Sequence, residues 1–79
     1  MDSKIFNNVN RLKFNALNDK LHTLDLDMKE DKGVLEGKFG IKLSYDFEEN
    51  KETLKVEILE KSFLIPASTI WNEIDKALA

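Results

Sequence analysis

Between residues 35 and 47 the chain reads LEGKFGIKLSYDF, and its odd and even positions are made of different material. Leu35, Gly37, Phe39, Ile41, Leu43, Tyr45 and Phe47 are apolar or glycine, whereas Glu36, Lys38, Gly40, Lys42, Ser44 and Asp46 are polar, charged or glycine. A period of two is the pattern of a β-strand with one covered face. It predicts a long middle strand whose odd face is buried and whose even face meets water or a partner. Glycine inside a strand marks a bend or bulge, so Gly37 and Gly40 predict one part-way along.

The flanks supply neighbours for this ribbon. Residues 23–29, TLDLDMK, alternate as well and predict a strand, followed by a turn at Glu30, Asp31, Lys32 and Gly33. That register sets Met28 against Leu35, Leu26 against Gly37, Leu24 against Phe39, and Asp25 against Lys38. After a second turn at residues 49–52, TLKVEIL at 53–59 predicts a third strand. Its register pairs Phe47 with Leu54, Tyr45 with Val56 and Leu43 with Ile58, and sets Asp46 opposite Lys55 on the other face. Two short strands each cover about half of the long one. Lengths of its backbone are then left without a partner, and unpaired edges invite another chain.

Helices are predicted at both ends. Ile5, Val9, Leu12 and Ala16 recur at helical spacing, widened by Phe6 and Leu17, and predict a helix over residues 3–20 capped by Asp2 or Ser3. Phe14 falls off that stripe, in a row with Leu17 and Leu21. It either covers a neighbouring loop or strand end, or forms a second contact face. Pro66 ends the extended run Phe63, Leu64, Ile65. A final helix is predicted over 68–78, with Ser68 as cap and Ile70, Trp71, Ile74, Ala77 and Leu78 as its apolar stripe. The fold expected is a single α+β domain over residues 1–79. It is a two-layer αβββα arrangement, with a three-stranded antiparallel meander under N- and C-terminal helices packed on one face.

Composition narrows the function. The chain has 79 residues, of which 34% are charged, and its formal net charge is −3. So small a domain has a thin folding margin, which self-association would widen. Eleven lysines stand beside a single arginine, Arg11. An acidic chain this poor in arginine does not suit a nucleic-acid backbone. No apolar run has the length to span a bilayer, and MDSKIFNNVN lacks the apolar core of a signal peptide. There is no cysteine, which fits a reducing cytoplasm.

No set of residues points to chemistry. Asp25, Asp27 and Glu36 match three positions of an EF-hand calcium loop, but Lys29 stands where an oxygen ligand belongs and Glu30 where glycine is needed. His22 is the only histidine, and general-base work with Asp19 or Asp25 is its one catalytic reading. The glycines do not form a phosphate loop, and no serine sits in a nucleophile setting. The expectation is therefore no catalytic residue, no cofactor and no metal.

What remains is an acidic, non-catalytic cytoplasmic interaction domain that forms a homodimer or binds another protein, away from nucleic acid and membrane. Its candidate contact residues are Phe14, Leu17, Leu21, Phe63, Leu64, Ile65 and Trp71. Three consecutive apolar residues at a strand-to-helix junction do not all point inward easily, and Trp is enriched at interfaces. The alternative is a carrier of a small apolar ligand or lipid, held between sheet and helices.

Overall fold

A computed structural model describes residues 2–61 and 65–79. The chain runs β1 (Asp2–Phe6), α1 (Arg11–Leu21), β2 (Lys32–Glu36), β3 (Lys42–Glu48), β4 (Thr53–Glu60) and α2 (Ala67–Leu78). The sheet has four strands in the order β1-β4-β3-β2, every neighbour antiparallel. The α+β class is as expected. The three-stranded sheet is not, because the first residues form an extra strand and the meander is shifted along the chain.

The helix predicted over 3–20 starts only at Arg11. Ile5 and Leu12 have helical spacing but no common buried face, being 64% and 78% exposed. The asparagines between them end the strand and start the helix. Asn8 takes a left-handed φ of 61°, which asparagine tolerates better than most residues. Asn10 caps α1, its Oδ1 accepting from the Lys13 N–H at 2.9 Å. The buried stripe of α1 is Phe14, Leu17 and Leu21. The row set aside as off-stripe is thus the packing face. Phe6, at the end of β1, pairs with Leu54 and lies 6.3 Å from the Trp71 ring.

The strand predicted at 23–29 is absent. A short 3-10 turn covers His22–Leu24, and the chain then runs irregularly to β2. The alternation is real, since Leu26 and Met28 are buried. Its backbone bonds go to α1 instead of a sheet. The Leu26 N–H donates to the Leu21 carbonyl at 3.0 Å, and the Met28 N–H to Asn18 Oδ1 at 2.7 Å. The pairings expected between 24–28 and 35–39 therefore do not form.

The long ribbon is a hairpin. Residues 38–40 form a 3-10 turn, and the Gly37 N–H donates to the Ile41 carbonyl at 2.9 Å. Gly40 takes a φ of +75° there. A Cβ on Gly37 would strike the Leu24 carbonyl oxygen and come within 2.8 Å of Leu26 Cδ2. Across the turn Leu35 pairs with Leu43 and Gly33 with Tyr45. Odd positions pair with odd, so the alternation passes through the reversal without a break in phase.

The β3–β4 hairpin has the expected register: Leu43 with Ile58, Tyr45 with Val56, Phe47 with Leu54, and Asp46 with Lys55, with a bulge near Lys42. The middle strand expected to be half-paired is in fact flanked by β2 and β4. Helix α2 begins at Ala67, after Pro66 at the cap position, and no side chain caps it. Ser68 lies inside the helix and not at its cap. The expected stripe is present, with Ile70, Trp71, Ile74 and Leu78 buried. These side chains join the stripe of α1 and the inner residues of β3 and β4 in one core cluster, and Lys20 of α1 reaches Glu73 of α2 at 3.4 Å.

Candidate functional site

The contact residues expected from the sequence divide three ways. Phe14, Leu17, Leu21 and Trp71 lie in the core, with Trp71 the most exposed of them at 8%. They hold the fold together and are not free to meet a partner. Ile65 is half-buried against the same core. Phe63 and Leu64 lie outside the described residues.

The polar cluster the sequence reading missed centres on Arg11. Its Nη1 donates to Asp31 Oδ1 at 2.9 Å and its Nη2 to Glu49 Oε1 at 2.8 Å, with further bonds from Nη2 to Asp31 Oδ2 and from Nε to Glu49 Oε2. The guanidinium also sits over Phe47 and Phe14, its Cζ 5.0 and 5.5 Å from the ring centroids. A planar fork with delocalised charge can do both at once, and a lysine cannot. The hydrogen bonds hold the Asp31 and Glu49 carboxyls below their usual range and push the guanidinium above its own. This cluster pins the start of α1 to both turns flanking the β2–β3 pair. Its partners are satisfied by one another, so it reads as a brace. The signal in the sequence was the lone arginine, though both of its acids lie far along the chain.

His22 meets Asp27, not Asp19 or Asp25, at 3.1 Å between Nε2 and Oδ1, and both side chains are about half exposed. Asp25, Asp27 and Glu36 all line one groove. Among the described residues no three metal-binding side chains converge. The Tyr45 hydroxyl donates to the Glu30 carbonyl at 2.6 Å, and burial pushes its pKa up.

The feature left open is the outer edge of β2. Two bonds bracket this strand: the Phe47 N–H to the Asp31 carbonyl at 2.7 Å, and the Gly37 N–H to the Ile41 carbonyl at 2.9 Å. Bonded and non-bonded pairs alternate along an antiparallel ladder. Gly33 and Leu35 therefore direct their backbone groups at β3, and Lys32, Val34 and Glu36 direct theirs away from the sheet. No neighbouring strand meets them among the described residues. The side chains of these three lie on the face away from the core, opposite Asp46, Ser44 and Lys42. Val34 is 56% exposed. A groove of about 450 Å³ is lined by β2 together with Asp25, Asp27, Lys29 and Glu30. The sequence reading took Lys32 and Gly33 as turn residues, and so missed the edge.

The other edge of the sheet is β1. By the same alternation, carried through β3 and β4, Ser3 and Ile5 direct their backbone groups outward. Lys4 lies between them, its Nζ 5.2 Å from the Trp71 ring. No known protein family, curated protein or solved structure matches this chain.

Proposed function

We propose that this chain is a small non-catalytic interaction domain that works by binding a second polypeptide, a copy of itself in the first instance, through its sheet. The observation that carries this reading is the open edge of β2, with outward backbone groups at Lys32, Val34 and Glu36 and an exposed valine at its centre. Unpaired strand edges are templates for another strand. A domain this small also has a thin folding margin, which association widens. The reading takes both helices as one layer over the inner sheet face. Phe14 beside Tyr45 and Phe47, and Trp71 beside Phe6, support that arrangement. A cytoplasmic setting belongs to the same proposal and fits a chain without cysteine.

Sedimentation equilibrium over a wide range of protein concentration tests it. The expected result is a mass that rises from one chain toward two. A single-chain mass throughout would remove self-association and leave only a foreign partner.

A further inference from the structure

We propose that β2 is the self-recognition edge: two copies join by antiparallel pairing of β2 with β2 about a two-fold axis at Val34, which places Lys32 of each copy opposite the partner's Glu36. This deepens the interaction reading above and rests on it.

Three observations select this register. First, an antiparallel pair bonds only through residues whose backbone groups face outward, which here are Lys32, Val34 and Glu36. A two-fold axis at Val34 uses all three: Val34 bonds the partner's Val34, and Lys32 bonds the partner's Glu36 at both ends. Moving the axis by one residue still satisfies the alternation, but leaves one of the three outside the ladder and sets a charged side chain against Val34.

Second, the charges on the outer face fall into line. Within one copy Lys55 is opposite Asp46, and Asp46 is opposite Lys32. At the other end of β2, Glu36 is opposite Lys42, with 3.7 Å between its Oε1 and the lysine Nζ, and Lys42 is opposite Glu60. Joining the copies at Val34 connects these rows. The line then reads Lys55, Asp46, Lys32, then the partner's Glu36, the partner's Lys42 and the partner's Glu60, alternating in sign at each step. Opposite charges directly across an antiparallel pair are favourable and like charges are not. The pairing is isologous, as a closed dimer requires.

Third, the competing edge fails the same test. On β1 the two-fold pairing that bonds Ser3 to the partner's Ile5 sets Lys4 directly against the partner's Lys4. Both edges are exposed, but only β2 is complementary to itself in the register that bonds every outward-facing residue.

Two charge-reversed chains decide the matter. Lys32→Glu carries acid at both positions and Glu36→Lys carries base at both. Each alone should weaken the dimer by roughly tenfold or more, because both cross-strand pairs become like-charged. Mixed in equal amounts they should recover it, since each supplies what the other lacks, and Lys32→Glu/Glu36→Lys in one chain should dimerise by itself. Circular dichroism of each variant alone checks that it is folded, and recovery on mixing requires folded components in any case. A dimer that survives both single reversals would overturn the β2 edge while leaving self-association intact. Loss without recovery in the mixture would overturn the Val34 register. A wild-type chain that stays monomeric would overturn self-association as a whole, and the β2 pairing with it.

Discussion

The Phe14 ring lies flat on the Phe47 ring, with centroids 4.4 Å apart and planes 8° from parallel. One belongs to the first helix and the other to the middle of the sheet, and Arg11 covers both from outside. The contact joins α1 to the sheet near the turn where the chain reverses between β3 and β4.

Because Phe14 is only 4% exposed, its removal is a core deletion. Phe14→Ala should destabilise the fold by about 3–5 kcal/mol, the range for a buried phenylalanine. Urea unfolding measures it. A loss within experimental error would mean that α1 does not pack as described.

The Arg11 brace predicts a pH dependence of definite sign. The folded chain holds Asp31 and Glu49 below their usual carboxyl range, so the unfolded chain takes up those protons first as pH falls. The brace therefore contributes fully above the ordinary carboxyl range, about pH 5 and up, and its contribution is lost as pH drops through the lowered folded values. All three groups are exposed and screened, so the effect is modest. Arg11→Met should lower stability at pH 7 and narrow the gap between pH 7 and pH 3. Chemical unfolding at the two pH values would show it, and an unchanged gap would contradict the role given to Arg11.

Gly37 and Gly40 should respond differently to one added methyl group. At Gly37 the new carbon meets a backbone oxygen and the buried Leu26, so Gly37→Ala should cost roughly 1–3 kcal/mol by overpacking. At Gly40 nothing lies within 4 Å, and the cost of Gly40→Ala is the left-handed backbone alone, about 1 kcal/mol. Thermal melts of the two should rank Gly37→Ala as the weaker protein. The reverse order would place the strain in the turn and not in the contact with Leu24.

How much of this was legible depended on what each pattern records. The Leu54, Val56, Ile58 alternation, facing Leu43, Tyr45 and Phe47 over a short turn, gave both the strand and its register. The stripe of α2 was equally plain. Burial of Leu26 and Met28 was legible too, but alternation reports which side of a segment is covered and not where its backbone bonds go. Asn18, which takes the Met28 N–H, is far from it in sequence. The hairpin inside the 35–47 ribbon was hidden because its pairs keep odd with odd; only the two glycines signalled a change, and they were read as a bend. The N-terminal strand was hidden because Ile5, Val9 and Leu12 happen to share helical spacing, although the asparagines between them end the strand and start the helix. The edge of β2 was lost with the hidden hairpin, since it exists only once the ribbon is folded back.

The position of β1 has a consequence in time. Strands β2, β3 and β4 follow one another through short turns, so each finds its neighbour soon after it is formed. Among the described residues β1 pairs only with β4, and its Phe6 waits for Leu54 and Trp71 from the far part of the chain. Closing so long a loop costs chain entropy before the contact returns anything. The meander can therefore assemble first, with its β4 edge bare, and β1, though it precedes the meander in the chain, is the last to join the sheet.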